Sequence, residues 1–317
     1  MIAPVCSHEK LVKNGKDRKG QQRWKCNACG SFVTREINRP LGDMRIKTSK
    51  AVHVLKMLLE GMSIRACERI TGVHRDTICD LILTVGENCD RLLKETVKGV
   101  SCAAVELDEI WGFVYAKAKT VEAKLLGPDL GDSWTWLAID ADSKLILSHA
   151  VGGRDQYTCE RFLGRLNSAT VGPMQVTSDG LGLYTLGVPF ALGTRVDFAQ
   201  LIKSYSSSQE ETRYSPAKIM KSEKVVRFGQ PDEDRISTSY SERLNLSVRM
   251  HNRRFTRLTN AHSKSPAHHE AMIHIFVAWY NFARKHETLK KQSPAMSSGL
   301  ADHVWTTEEL LRNAANS

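Results

Sequence analysis

The sequence predicts an α+β protein with more than one domain. Its 317 residues exceed the length of one ordinary domain. Apolar residues recur at helical spacing between Lys47 and about Glu95. Strand-like apolar runs follow from Ala103 onward. We therefore expect a helical part near the N-terminus and, after it, a domain that combines a sheet with helices.

The composition, with 41% hydrophobic and 25% charged residues, is typical of a folded, water-soluble protein. No stretch reaches the roughly 18 uninterrupted apolar residues of a membrane helix, and the first residues do not form a signal peptide. We expect a cytoplasmic protein without a membrane partner. The eight cysteines include a single Cys-x-x-Cys pair, which favours metal ligation or packing over a disulfide framework.

The net charge of +10 is unevenly distributed along the chain. Residues 1–50 and 243–291 each carry a net charge of +8, residues 51–100 are neutral and residues 101–242 carry −4. Clusters of Lys and Arg displace counterions from a phosphate backbone, so the two basic blocks favour nucleic acid as a partner. A solvated basic surface without such a partner is the alternative.

Residues 1–40 have the pattern of a zinc-ribbon-like DNA-binding segment. Cys26 and Cys29, followed by Gly30, form a knuckle-like Cys-x-x-Cys-Gly motif after a predicted hairpin. Upstream, Cys6 has Ala3 where a second pair would need its first cysteine. Three thiolates could hold Zn²⁺ if His8 supplies the fourth ligand; otherwise the segment folds without metal. The basic side chains expected to contact DNA are Lys13, Lys16 and Arg23.

Residues 45–98 are predicted to form a three-helix unit with a helix-turn-helix. Gly61 ends the first helix, Ser63 caps the second, and the turn around Gly72 precedes a third helix that starts near His74. In a helix-turn-helix, the opening residues of the last helix face the major groove. Those residues are His74, Arg75 and Thr77. A three-helix bundle without DNA-reading function is the alternative, which the neutral charge of this region favours.

Residues 101–291 are predicted to form the catalytic domain, with an irregular insertion at about 187–236 and a C-terminal tail at 292–317. The predicted order is three antiparallel strands, a helix and a further strand, at Ala103–Tyr115, Trp134–Ile139, Leu145–Ala150, Cys159–Leu166 and Met174–Thr177. This is the order of a ribonuclease-H-like core, which other α+β folds share.

Three carboxylates are the candidate catalytic residues and Mg²⁺ ligands. Phosphoryl transfer by two metal ions needs rigid oxygen ligands on both sides of the scissile phosphate. Asp108 and Asp179 interrupt apolar strands at their ends, and Glu242 opens a predicted helix. Arginines behind Glu242 are expected to bind DNA phosphates: Arg243, Arg249, Arg253 and Arg254.

Other acidic residues compete with these three as metal ligands. They are Glu106, Glu109, Asp140 and Asp142. In a strand, Glu106 shares a face with Asp108, whereas Glu109 points to the opposite face.

Three segments around these carboxylates resemble the catalytic blocks of the insertion-sequence-one family of DDE transposases. They are Leu107-Asp108-Glu109-Ile110-Trp111-Gly112, Thr177-Ser178-Asp179-Gly180 and Ser241-Glu242-Arg243-Leu244-Asn245. The segments Leu11-Val12-Lys13-Asn14-Gly15-Lys16 and Gln22-Arg23-Trp24-Lys25-Cys26 resemble the zinc ribbon of that family. The resemblance extends from about residue 3 to residue 300.

The resemblance implies a transposase that binds the terminal inverted repeats of its insertion sequence, cleaves the ends and joins them to target DNA. It implies Asp108, Asp179 and Glu242 as the triad, two Mg²⁺ ions with Mn²⁺ as a substitute, and double-stranded DNA as partner and substrate. We expect a homo-oligomer on DNA and a nucleoid-associated location. Ala3 and the 63-residue spacing from Asp179 to Glu242 depart from the family pattern. Two alternatives are a non-catalytic repressor derived from a transposase and a metal-dependent DNA nuclease.

Overall fold

The computed structural model describes residues 11–18, 20–34, 40–42, 44–127, 129–205, 219–256 and 259–317. Eleven strands are formed within this part of the chain: β1 (Leu11–Lys16), β2 (Gln22–Cys26), β3 (Phe32–Thr34), β4 (Val100–Ser101), β5 (Ala104–Val114), β6 (Gly131–Asp140), β7 (Ile146–Gly152), β8 (Thr170–Val171), β9 (Met174–Ser178), β10 (Val196–Tyr205) and β11 (Ile219–Phe228). The α-helices of the same part are α1 (Thr48–Leu59), α2 (Ile64–Thr71), α3 (Arg75–Thr96), α4 (Ala118–Ala123), α5 (Gln156–Ala169), α6 (Leu183–Leu192), α7 (Ser239–His251), α8 (Pro266–Phe282), α9 (Pro294–Ser297) and α10 (Thr307–Asn316).

A mixed six-stranded sheet lies at the centre of the protein, in the order β11-β10-β9-β5-β6-β7. Strands β5, β6 and β7 are antiparallel neighbours, whereas β9 runs parallel to β5 and β10 runs parallel to β9. The central strand β5 is largely buried on both faces, and Val105, Leu107 and Ile110 are almost fully buried. The predicted strands and the predicted helix of this region are confirmed.

The expectation of an irregular insertion at about 187–236 is wrong, because β10 and β11 lie in this range and belong to the central sheet. The two strands pair with each other in antiparallel orientation. β11 lies at the edge, and its exposed residues include Lys221 and Glu223, so the apolar alternation that marks a strand is diluted. A charged edge strand is one means by which a sheet avoids pairing with other chains.

The three helices predicted before residue 98 are present as α1, α2 and α3. The Ser63 hydroxyl accepts a hydrogen bond from the Ala66 amide (3.2 Å) and caps α2, as predicted. Gly72 ends α2 with φ 69°, a left-handed conformation that glycine adopts without a steric penalty. None of the described helices combines the length and apolarity that a bilayer crossing requires.

Helix α8 links the N-terminal helices to the sheet. It packs along α3, and residues on every side of it are buried, including Met272, Ile275 and Phe276. The sequence from His268 to Lys285 predicts an amphipathic helix, and this expectation is wrong, because a helix that is apolar on every side, as α8 is, lies inside a core. Gly86 of α3 permits the close contact, because a Cβ atom there would lie 2.5 Å from the Cβ of Ala271.

The tail predicted at 292–317 is helical and packed. Helix α10 contacts α1, α3 and α8, and it buries Leu310, Leu311 and Ala314. Its N-terminus is closed by a capping box between Thr306 and Glu309. This apolar stripe was not recognised from the sequence, because α10 is short and contains two Asn residues.

The small sheet β1-β2-β3 precedes the helices. Its Cys-x-x-Cys turn is tight: the Gly30 amide donates to the Cys26 carbonyl (2.8 Å), and Gly30 has φ 73°. Cys26 is buried and Cys29 is exposed. Cys6 and His8, the other proposed zinc ligands, and Ala3 lie outside the described residues.

Candidate active site

Asp108 and Asp179 lie side by side where two parallel strands separate. β5 pairs with β9 from Ala104 to Leu107, which is opposite Ser178, and each aspartate is the next residue of its chain. Asp108 is therefore inside β5, not at its end as expected, because β5 continues to Val114 in its pairing with β6. The carboxyl end of a parallel strand opens a crevice at such a position.

Helix α7 covers the face of β5 that carries Asp108. The Asn245 side-chain amide donates to Oδ2 of Asp108 (2.8 Å), and the Glu109 backbone amide donates to Oδ1 (2.8 Å). Oε2 of Glu106 accepts hydrogen bonds from the first amides of α7, those of Tyr240 (2.8 Å) and Ser241 (2.9 Å). Glu106 thus shares the face of Asp108, as predicted, and it anchors the positive end of the helix.

Glu242 lies in the first turn of α7, as predicted, with a half-exposed side chain. Its Oε1 pairs with the Lys203 ammonium group and accepts a hydrogen bond from the Thr238 hydroxyl (3.1 Å). Lys203 also donates to Thr238 (2.9 Å). Lys203 belongs to β10, so the strand that the sequence analysis missed supplies the counter-charge of a candidate metal ligand.

The electrostatics of Asp108 reflect this crowding of negative charge. Burial, followed by the charges of Glu109, Asp179 and Glu242, raises the pKa of Asp108 to about 7. A carboxyl group with an uncompensated cost of ionisation is a favourable ligand for a cation, which would restore its charged form. The hard oxygen donors of the three acids suit Mg²⁺.

Glu109 points to the opposite face of β5, as predicted. It accepts hydrogen bonds from Tyr184 of α6 and from Arg154 (Nη2 to Oε2, 3.1 Å). Arg154 also lies 3.8 Å from Oδ2 of Asp179 and stacks on the Trp134 ring (4.7 Å). Burial and the Asp179 charge raise the pKa of Glu109 to about 7. Glu109 therefore positions Arg154 beside the crevice.

The loop that carries Asp179 is held by Gln200 of β10. The fully buried Gln200 amide donates to the carbonyl groups of Asp179 (2.7 Å) and Leu181 (3.0 Å), while Arg227 of β11 donates to its side-chain oxygen (2.8 Å). The Leu181 amide in turn donates to Oδ1 of Asp179 (3.0 Å). The outer strands thus restrict the position of Asp179.

The other acidic candidates have structural roles. Asp140 accepts hydrogen bonds from the backbone and hydroxyl groups of the turn between β6 and β7, including Ser143. Asp142 pairs with Arg235 through both carboxylate oxygens (2.8 and 2.7 Å).

The predicted DNA-binding residues lie on three separate surfaces. Lys13, Lys16 and Arg23 lie on the small N-terminal sheet, where the Arg23 guanidinium stacks on the exposed Phe32 ring (4.8 Å). His74 and Arg75 are exposed at the start of α3, and Thr77 is half-buried there.

The remaining predicted DNA-binding residues follow Glu242. Arg243 and Arg249 lie on α7, but Arg253 and Arg254 do not continue that helix as expected, because α7 ends at His251. A short 3₁₀ turn, Arg253–Phe255, carries them away from its axis.

A different cluster, Asp90, His149 and His274, has its ligand atoms within 4.8 Å of one another. Asp90 already accepts hydrogen bonds from Lys94 (2.6 Å) and Arg165 (2.9 Å), so a metal ion there would compete with two cations. The three predicted acids do not form so close a group in the described part of the chain. Three acids that hold two metal ions roughly 4 Å apart do not need to lie as close together as the ligands of a single ion.

Four residues of the site escaped the sequence analysis: Asn245, Arg154, Lys203 and Gln200. Asn245 had a detectable signal, since it follows Glu242 by three residues and therefore shares its helix face. The other three act through pairing partners from distant parts of the chain.

The chain is similar in sequence to a curated protein and in structure to solved proteins. The chain is 25% identical over 177 residues to the insertion element iso-IS1n protein InsB of Shigella dysenteriae, an alignment that covers 56% of this chain and 95% of the relative. No family model matches the chain. A solved structure, piggyBac transposase in a synaptic complex with hairpin DNA, has a TM-score of 0.35 and 11% identity, with coverage of 86% of this chain and 73% of the other.

Proposed function

We propose that the protein is a DNA transposase of the DDE type, with Asp108, Asp179 and Glu242 as its catalytic triad. The observation that carries this proposal is the convergence of three acids from β5, the end of β9 and the first turn of α7. The similarity to an insertion-element protein supports the same conclusion.

The catalytic domain is proposed to be ribonuclease-H-like. Three antiparallel strands followed by two strands parallel to the first, in the order β7-β6-β5-β9-β10, support this assignment. Helix α7 follows β11 in the chain, covers β5 and carries the proposed third acid, Glu242.

Each residue has a distinct role in the proposed reaction. Two Mg²⁺ ions, or Mn²⁺ in their place, would polarise the attacking oxygen and stabilise the leaving oxygen. Asp108, Asp179 and Glu242 would hold them, and Asn245 keeps the Asp108 carboxylate oriented. Lys203 pairs with Glu242 and would give up this pairing when Glu242 holds a metal ion. Arg154 lies beside Asp179, where it can bind a non-bridging phosphate oxygen.

The proposed reaction consists of two direct phosphoryl transfers and needs no covalent enzyme intermediate. In cleavage, a water oxygen bonds to the scissile phosphorus, the bond from phosphorus to the 3′ oxygen breaks, and this oxygen leaves as a 3′-hydroxyl. In joining, the 3′-hydroxyl loses its proton and attacks a target phosphorus, and a target 3′ oxygen leaves.

The front of the chain is proposed to recognise the terminal inverted repeats. Helices α2 and α3 would form the helix-turn-helix, with His74, Arg75 and Thr77 toward the bases. Lys13, Lys16 and Arg23 would contact phosphates, and Cys26 and Cys29 would ligate Zn²⁺ with Cys6 and His8. Elemental analysis of the purified protein tests this zinc site. If the four residues bind Zn²⁺, the analysis gives about one zinc per chain.

A joining assay tests the proposed function. Inverted repeats from the DNA that flanks the gene would supply a pre-nicked end, which is incubated with a target plasmid and Mg²⁺. A transposase yields an end joined covalently to the plasmid. Cleavage without joining would instead indicate a nuclease, and binding alone would indicate a repressor; either result refutes the proposal.

A further inference from the structure

A basic groove of about 810 Å³ lies between the start of α2 and the segment 260–265. Its walls include Arg65, Cys79, Arg253, Arg254, Lys264 and His268, and none of the described residues that line it is acidic. Arg65 and Lys264 are exposed, whereas Arg253 and Arg254 are half-buried. We call these six residues, with the space between them, the basic groove.

Arg254 is the most unusual of these residues. Burial lowers its pKa to about 10, and the neighbour that partly offsets this effect is the Cys79 thiol, a far weaker counter-charge than a carboxylate. Nε2 of His268 is also buried and has no hydrogen-bond partner in the described part of the chain. A half-buried guanidinium whose neighbouring counter-charge is a thiol is stabilised when an anion enters the groove.

The N-terminus of α2 adds to the positive potential of the groove. Ser63, Ile64 and Arg65 all line it, so the amide end of this eight-residue helix lies at its edge. Backbone amides and the helix dipole both favour a negative group at such a position.

The lengths of β5 and α7 give the approximate distance between the basic groove and the carboxylate triad. The wall residue His262 stacks on Phe113 (4.8 Å), and the Tyr115 amide donates to the Ser263 carbonyl (2.7 Å), so the wall is attached to the far end of β5. Phe113 lies five residues beyond Asp108 along β5, and five residues of strand span about 17 Å. The path along α7 from Glu242 to its last residue, His251, gives about 14 Å, and Arg253 follows two residues later.

We propose that the basic groove binds the phosphate backbone of the DNA duplex whose scissile phosphate lies at the carboxylate triad. A rise of about 3.4 Å per base pair places the bound phosphates about five base pairs from the scissile position. The groove also joins the proposed reading helices to the catalytic site, since Cys79 lies one turn beyond Arg75 on α3. This inference rests on the proposed function for the identity of its ligand.

The test is the salt dependence of binding to a fluorescein-labelled 40-base-pair duplex of arbitrary sequence, without Mg²⁺. The groove variant is Arg65→Gln with Lys264→Gln, two exposed positions whose replacement should leave the melting temperature unchanged. Loss of two phosphate contacts reduces the slope of log K against log salt by about 1.8. The matched control is Arg91→Gln with Arg312→Gln, which removes the same charge at two residues that do not line the groove and should leave the slope unchanged.

The groove assignment is overturned if the groove variant keeps the wild-type slope, or if the control lowers the slope equally. Together, the binding measurement and the joining assay distinguish failure of the groove assignment from failure of the proposed function. A wild-type protein that joins DNA, with a groove variant that behaves like the control, refutes the groove alone. A lower slope in the groove variant, with no cleavage or joining by the wild type, supports the groove as a nucleic-acid site and refutes the transposase.

Discussion

Burial and three neighbouring acids make ionisation of Asp108 unfavourable in the folded protein, so the charged form of this residue lowers the stability of the fold. A folded-state pKa of about 7, against an ordinary value of 3.8, means that the folded chain holds a proton between about pH 4 and 7 that the unfolded chain has lost. The contribution of this group to stability is therefore fully present below about pH 4 and is lost as the pH rises through about 7. Glu109 has a raised pKa of the same kind and adds to this loss.

We expect Asp108→Asn to stabilise the metal-free protein at pH 8 by on the order of 1–3 kcal/mol, and by less at pH 5. Urea unfolding at the two pH values measures the difference. Asp142→Asn is the control, because its exposed pair with Arg235 contributes little. Added Mg²⁺ should stabilise the wild type more than Asp108→Asn, since binding to the folded state alone raises stability. A variant no more stable than the wild type at pH 8 would contradict this electrostatic account.

At the scale of helices and strands, the interface between α3 and α8 depends on a glycine. Gly86→Ala would bring a new methyl group against the backbone and side chain of Ala271, and we expect a loss of about 1–3 kcal/mol from overpacking. Gly164→Ala in α5 meets no atom within 4 Å and should stabilise the protein by about 0.5–1 kcal/mol through helix propensity. Thermal unfolding of both variants measures this contrast. Equal effects of the two substitutions would show that α3 and α8 do not pack this closely.

Periodicity in the sequence predicted the elements with regular burial. The helices α1 to α3 and the strands β5, β6, β7 and β9 carry apolar residues at the spacing that their environments require, so their patterns are readable. β11 was missed because the edge of the sheet permits Lys and Glu within a strand. β10 was missed because Asp197, Gln200 and Lys203 interrupt its apolar residues. α8 was predicted as a helix, but its central position was not, because its partners α3, α9, α10 and β7 come from distant or short segments of the chain.

The candidate site was predictable where its residues interrupt apolar runs. Asp108 and Asp179 stand out on that ground, and Glu242 stands out ahead of a series of arginines. Arg154, Lys203 and Gln200 have ordinary local surroundings, and their roles arise from strand pairing between residues that are far apart in the chain.

At the scale of the whole molecule, one continuous hydrophobic core joins the N-terminal helices to the sheet. α3 packs on α8, and α1 packs on α10, which is close to the C-terminus. Within the described part of the chain, the helices proposed to read DNA are therefore not an independent unit. This arrangement connects the helices proposed to read the DNA ends directly to the scaffold of the triad.

A fragment of residues 1–98 should consequently lack a stable helical fold and should not bind DNA on its own with wild-type affinity. Removal of α8 and α10 exposes Val85 and Leu93, whose burial stabilises α3 in the intact chain. Circular dichroism and thermal unfolding of the fragment, beside the full chain, measure this. A cooperative transition in the fragment at the temperature of the full chain would refute a shared core.

The central claim is that Asp108 binds a metal ion that takes part in strand transfer. The most direct test replaces it with cysteine, because a thiolate is a poor ligand for Mg²⁺ and a better one for Mn²⁺. Asp108→Cys is compared with Asp142→Cys in the joining assay, with each ion in turn. The account predicts that Asp108→Cys joins no DNA with Mg²⁺ and regains joining with Mn²⁺, while Asp142→Cys joins DNA with both ions. Wild-type joining by Asp108→Cys in Mg²⁺ would contradict the account.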